Sequence, residues 1–464
     1  MKARFLTVLA LGLAFATTAI GVGPDNTWTD GSGKWETSNN WSLALAPSLS
    51  DSADLITNAG NNTVTIDATT ANTSSAMTIS NLTIAANTLQ LTNAGTNTPL
   101  HILNVATLSS GASLLITNSA LSIDGVNVGS DYTLAIGGAT NDNASMTVLA
   151  DSSVTIGGTI GAVVGRSNGS SGTLTLAGGT FNCAAGLTIA TGLHSSTGTV
   201  WITGGNLIAN LYVDVCRPSG FQTGAGSLIL SNGTLVTSQL HVAGIGGGDG
   251  TFTMEGGTAN VALLVVGSAA SVGTGSVNLN GGTLFVTNAS QTAVLTVDQG
   301  GTLTLSNAAT LVADSLITTN PNATFINLGG TFILTGQATI DQGVMTVSGT
   351  NQMSSNLVVA ASASSTGAVS LTGGSLVVTN GTFGIGNDGT VGGTGGVAQV
   401  TVSGGLLQAA SILVGDNFGS PSSFTVSSNG HVVVQGGLRV NGNHTTTVTD
   451  KRYIGSVGRA AAAV

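Results

Sequence analysis

Along most of this chain, apolar residues alternate one for one with small polar ones. In Thr173-Leu174-Thr175-Leu176-Ala177 the two leucines point one way and Thr173, Thr175 and Ala177 the other. A period of two predicts strands, not helices. The threonines and valines that fill the pattern are stiff at χ1 and favour strands as well. The pattern then repeats on a larger scale from Asn143 to Asn443. Units open at Gly172, Gly198, Gly226, Gly250, Gly275, Gly367 and Gly396. Each reads as a short strand, a Gly-Gly or Asn-Gly turn, a second strand, and a third strand ending near Val-Gly; in the first unit Phe181, Leu187 and Ile189 carry the apolar positions past the turn. The interval is about 24 residues, in the range of solenoid repeats.

A propeller blade needs four strands and about 40 residues, more than this unit holds. One coil of a parallel β-helix, with two or three strands and tight corners, fits it. Coils stacked at about 4.8 Å give every backbone group a partner above or below. The expected fold class is therefore all-β: a single-stranded parallel β-helix solenoid with an N-terminal tryptophan-rich cap. The same alternation, less regular, runs from residue 55 to 142 (Val64 and Ile66, Leu82 and Ile84, Leu89 and Leu91, Leu114 and Ile116). The expected organisation is a signal peptide at 1–19, a cap at 20–54, irregular coils at 55–142, regular coils at 143–443 and a C-terminal tail at 444–464.

Composition narrows the function classes. Of 464 residues 69 are Gly, and charged residues make up only 6% where about a quarter is usual. Nucleic acid is not an expected partner, because its recognition needs clustered Lys and Arg. The charge deficit follows from stacking: like charges in register repel in every coil, whereas Asn, Ser and Thr ladders are expected to hydrogen-bond along the rod.

Met1 to Ala19 has a basic start (Lys2, Arg4), an apolar run from Phe5 to Ala16, and small residues at Ala14, Ala16 and Ala19. That combination predicts a secretory signal peptide, not a membrane anchor, which needs about 20 apolar residues. Its removal takes the formal charge from −10 to −12 by loss of those two cations. No later stretch is apolar for long enough to span a membrane. With Cys183 four residues past its Gly-Gly and Cys216 eleven past its own, the two thiols occupy different places around the coil. A disulfide is therefore not expected: a buried Cys183 and a corner Cys216 are.

Three of the four tryptophans cluster at Trp28, Trp35 and Trp41. Two readings compete. The first coil of a solenoid has an open edge that large aromatics can cover; alternatively, the rings form a carbohydrate-stacking platform. The need of solenoids for capping units favours the cap. The segment Trp28-x-x-Gly31-x-Gly33-x-Trp35, followed by Asn40-Trp41, Pro47 and Asp51-Ser-Ala53-Asp54-Leu55-Ile56, resembles the start of autotransporter-associated β-strand repeat proteins and of their PEP-CTERM-type relatives. The likeness is close over the tryptophan segment and loose over the repeats. It implies a right-handed β-helix displayed at, or released from, the surface of a Gram-negative cell, adhesin-like or structural. Residues 444–464 carry neither a terminal β-barrel nor a Pro-Glu-Pro signal, and read as a chain cut short or held by another route.

Parallel β-helices also include polysaccharide lyases and glycosidases. A lyase needs cations for its acidic substrate, and between Trp35 and Leu438 only Arg166 and Arg217 are basic, histidines aside. A glycosidase needs two carboxylates at a set separation. Glu36 and Glu255 are the only glutamates. Asp388 and Asp416 share a local context one coil apart and form the candidate acidic corner, with solvated turn aspartates as the plain alternative. Asp214 and Arg217 flank Cys216 and are expected to form an exposed corner ion pair worth 0–1 kcal/mol at about that scale. His101, His194, His241, His431 and His444 show no metal-binding spacing, and no cofactor is expected. The reading is a secreted, non-enzymatic rod whose outward Thr, Asn and Ser ladders contact extracellular glycans or neighbouring cell surfaces. The alternative is a carbohydrate-active enzyme or glycan-binding module on the same scaffold.

Overall fold

The computed structural model describes residues 23–73, 77–126, 132–191, 195–216, 223–243, 248–268, 273–387, 395–415, 422–427 and 429–440, plus the backbone of Thr445–Val448 and Ile454–Ser456; for Asn307 only the backbone is described. The signal-peptide segment, His194, Arg217, Asp388, Asp416 and His444 lie outside the described residues. The chain is 61% strand and 2% helix and winds into a parallel β-solenoid of about 14 turns, a rod roughly 65 Å long at the usual strand spacing.

Each turn contributes to three sheets. The first contains Asn143–Val148 and Ala225–Leu230, the second Ser153–Ile156 and Thr331–Leu334, and the third Ala162–Val164 and Leu357–Val359. In places the strand runs through the corners, so that Thr197–Val215 crosses all three sheets without a break. Register keeps like with like. In the first sheet Met146, Leu174, Val200, Leu228, Phe252 and Val277 lie in one column, and all are at most 2% exposed. Burying each such side chain contributes about 1.5–3 kcal/mol, so dozens of inner positions hold the rod together.

Glycine sets the corners. The second Gly of the Gly-Gly turn has positive φ (71° at Gly205), and a Cβ there would lie 2.2 Å from the Gly179 carbonyl oxygen of the coil below. In many coils the third corner turns on a left-handed residue, glycine at Gly165 and Gly267 and a small side chain at Ala190, Cys216, Ala243 and Ala360, with φ of 54–81°. Each donates its N–H to the previous coil, as in Cys216 N–H to Ile189 O at 2.7 Å and Ala243 N–H to Val215 O at 2.9 Å. The chain is thereby tucked against the next coil's first strand, where Gly172, Gly198, Gly226 and Gly250 stand in one column. This is why the repeat units open on glycine. At the last unit the register puts Ala398, not Gly396, opposite Gly367.

The repeat length is looser than its average suggests. Paired residues are separated by as few as 19 positions (Thr331 and Thr350) and as many as 33 (Ala120 and Ser153). Corners absorb the difference while the strands keep register. Coils also continue past 443, since Thr445–Val448 pairs with Ser423–Val426 and Ile454–Ser456 with Val432–Val434.

At the other end, the cap is itself a coil, with strands of only two residues. Asn26–Thr27 pairs with the strand Asp54–Ile56, and Gly33–Lys34 with Thr63–Ile66. Trp28, Trp35 and Trp41 are 0–2% exposed and join the core that continues through Ile56, Val64 and Ile66. Trp41 meets each of the other rings edge-on, with centroids 5.1 Å apart. The indole N–H groups are satisfied too: Trp28 donates to Gly31 O and Trp41 to Trp35 O. These rings close the tube, and none offers a face for stacking a sugar.

Candidate functional site

Strand parity that sends Leu174, Val200 and Leu228 inward sends their neighbours outward, and on the first sheet most of those neighbours are hydroxyls. One outer column runs Ser113, Ser145, Thr173, Thr199, Ser227, Thr251; the next runs Leu115, Thr147, Thr175, Trp201, Ile229, Thr253. Strand spacing puts columns about 7 Å apart along the strand and coils about 4.8 Å apart across it. From Thr88 and Gln90 to Ser423 and Thr425 neither column holds a charged residue. These two columns are uncharged and mostly hydroxyl, interrupted by apolar residues such as Leu115, Ile229 and Val344, and the nearest acid on the sheet is the exposed Asp249, two residues before Thr251.

Trp201 stands in the middle of this face. The residue is 42% exposed, with Thr175 and Ile229 on either side in its column and Thr199 two residues before it. In the sequence this residue stands apart from the Trp28, Trp35 and Trp41 cluster and is not among the expected site residues. The signal was present: Val200 and Ile202 point inward, so the residue between them must point out. Shallow grooves lie on the same sheet. One of about 230 Å³ is lined by Gly111, Asn143, Ser145, Ser171 and Thr173, and another of about 250 Å³ by Pro321, Val344, Thr366, Ala368 and Gln399.

The expected hydrogen-bonded hydroxyl ladders are mostly absent from this face among the described residues. Ser145 Oγ reaches Ser113 Oγ at 3.4 Å, and Asn278 Nδ2 reaches Ser276 Oγ at 3.2 Å. Hydroxyls bond along the rod at the corner instead, donating to the preceding coil's backbone: Thr203 to Leu176 O, Ser348 to Asn327 O and Thr372 to Val347 O. A carbonyl with a free lone pair is a nearer and better acceptor than a rotating hydroxyl. The flat-face hydroxyls are therefore left for solvent or a ligand.

The third sheet carries a different cluster. Thr188, Asp214 and His241 stack in register on its outer side. Asp214 is 2% exposed and its Oδ1 lies 2.7 Å from His241 Nδ1. Asp214, expected at an exposed corner, is instead buried and forms a carboxylate–imidazole pair, because the register delivers His241 from the next coil; its expected partner Arg217 lies outside the described residues. Thr188 Oγ1 is buried and without a hydrogen-bond partner. Its column neighbour is the Asp214 carboxylate, and the His241 imidazole lies one coil further on.

Both cysteines are free and buried. Cys183 fills an inner column between Ile156 and Ala209; burial pushes its thiol up to about 11. Cys216 is the left-handed corner residue, and burial, then the charge of Asp249, push it up to about 12. Corner aspartates accept local donors: Asp314 Oδ2 takes the N–H groups of Asn288 and Ala293, and Asp298 Oδ1 those of Gln299 and the Thr319 hydroxyl. Among the described residues no group of three or more His, Cys, Asp or Glu side chains is placed to hold a metal ion, and no helix is long and apolar enough to cross a membrane. No protein-family model matches the chain significantly, and neither does any curated protein or solved structure.

Proposed function

We propose that this chain is an exported recognition rod, adhesin-like and non-enzymatic, whose first sheet contacts extracellular glycans. The observation that carries the reading is the exposed Trp201 side chain set in two uncharged, mostly hydroxyl columns. A sugar presents apolar C–H faces and a rim of hydroxyls. An indole face suits the first, and rows of Thr and Ser hydroxyls, each both donor and acceptor, suit the second. A rigid sheet holds both at fixed spacing without an ordering cost on binding. Neutrality favours an uncharged glycan over an acidic one, since the chain's net charge is −10. The resemblance of the tryptophan segment to exported surface proteins of Gram-negative cells supports the same compartment.

A glycan array probed with the purified rod tests the reading. Retention on neutral glycans that falls about tenfold in Trp201→Ala is expected, the scale of losing one aromatic anchor, with an unchanged melting temperature. Equal retention by both proteins, or glycan cleavage by the wild type, would refute it.

A further inference from the structure

We propose that the carboxyl groups of Asp51 and Asp54 form a proton-dependent latch that holds the tryptophan cap on the rod. Asp54 opens the strand Asp54–Ile56 and has the parity of the core residue Ile56, so its side chain faces the inside of the tube. Its column neighbours are Asn26 on the cap side and Leu82 on the rod side. It is 0% exposed, and neither carboxyl oxygen receives a hydrogen bond from any N–H or O–H. The side chain it meets is the Asp51 carboxyl, which is 4% exposed and accepts the Ser48 N–H at 2.9 Å. Two carboxylates have no donor between them, so this contact becomes a hydrogen bond only when one of them carries a proton.

The surroundings supply no other compensation. Asp51 faces the group from its own segment and Asp25 from the cap strand, while the strand Leu82–Ala85 on the rod side holds no titratable residue. Among the described residues no ion pair reaches Asp51 or Asp54, and Lys34 of the cap is engaged by Asp67. Burial first, then the Asp51 charge and hydrogen bond, then Asp25, push Asp54 from 3.8 up to about 9. The folded state therefore holds the neutral acid. Its contribution is complete below the unfolded value near 4 and is lost as pH rises towards about 9. The backbone bonds that attach the cap flank this residue: Asn26 N–H to Ala53 O and Trp28 N–H to Leu55 O, both 2.8 Å. Ionised Asp54 puts an unpaired buried charge at that joint, and the cap lifts.

Tryptophan emission reads the cap directly in a Trp201→Phe background, where the remaining indoles are Trp28, Trp35 and Trp41. Between pH 6 and 10 the emission is expected to shift to the red and acrylamide quenching to rise severalfold, with far-ultraviolet dichroism of the rod retained. Asp54→Asn, which cannot ionise and can donate to Asp51, is expected to keep the cap closed throughout. No transition in the wild-type chain, or the same transition in Asp54→Asn, would overturn the proposal. So would a calcium-induced rise in melting temperature at pH 8 that Asp54→Asn removes, because the pair would then hold a cation instead of a proton.

Discussion

Gly226→Ala tests the claim that glycine opens each repeat unit because the previous corner occupies its side-chain space. An added Cβ would stand 2.5 Å from the Cys216 backbone nitrogen, 2.7 Å from the Ile189 carbonyl oxygen and 3.1 Å from the Val215 carbonyl carbon. All three atoms are backbone, so no rotamer change relieves the clash. Overpacking of a rigid core costs about 1–3 kcal/mol. The methyl also wedges apart the Cys216 N–H to Ile189 O bond, worth about 1 kcal/mol net, so local opening should become easier by about 2–4 kcal/mol. Each coil contacts only its neighbours, and the loss stays local. The assay is hydrogen exchange at the amides of Val215 and Cys216, expected to speed up by roughly thirtyfold to a thousandfold at 1.4 kcal/mol per decade. Two controls separate crowding from backbone strain. Gly95 has φ of 81° and no atom within 4 Å of an added Cβ, so Gly95→Ala carries only the left-handed cost of about 1–2 kcal/mol. Gly31 has neither, its nearest contact being Asn62 Oδ1 at 4.0 Å, and Gly31→Ala should be silent. Exchange in Gly226→Ala equal to that in Gly31→Ala would refute the reasoning.

Two further outcomes are open to direct measurement. Asn351 stands in an inner column between Phe332 and Leu376; it is 0% exposed and accepts from Asn327 Nδ2 at 3.3 Å. Asn351→Leu should cost about 1–3 kcal/mol by orphaning its partners, while Asn327→Leu with Asn351→Leu should recover part of that loss; denaturant melts of the four-membered cycle check it, and additive losses would contradict it. The thiol values of about 11 and about 12 leave almost no thiolate at pH 8. Iodoacetamide should spare both cysteines in the native rod and label both in denaturant without reductant, as read by mass; native labelling within minutes, or no labelling after unfolding, would contradict the burial or the absence of a disulfide.

Alternation carried most of the fold. Leu174 and Leu176 fall inside because a period of two allows nothing else, and the glycine-led units mark both the tight corners and the close approach at Gly226. What alternation does not encode is what lies across the outer side of a strand. Val163, Thr188 and Val358 alternate outward on the third sheet, yet all are 0% exposed. Nor does a single repeat length give register. With paired residues separated by 19 to 33 positions, the meeting of Asp214 with His241 becomes visible only once the strands are stacked. Asp54 was legible as part of a motif but not as a buried acid, because its inward parity depends on where the short strand begins.

Where charge sits on this rod follows from the stack. An acid repeated in register would face its own like at about 4.8 Å, and most of the described acids avoid that in one of two ways, Asp67 being answered by Lys34 instead. Some sit at corners and are answered by neutral donors of a neighbouring coil, as Asp341 is by the Ser362 N–H and hydroxyl, and Asp142 by the Ser110 N–H. Others are answered by histidine, as Asp214 is by His241 and Asp124 by His101 at 2.8 Å. Asp54 breaks the pattern, because its neighbour is another carboxyl inside the tube. A proton is the smallest group that can settle such a contact, and a proton is set by the surroundings where a side-chain donor is not. The stacking that keeps charge out of the two columns around Trp201 therefore leaves the Asp54 contact at the cap responsive to pH.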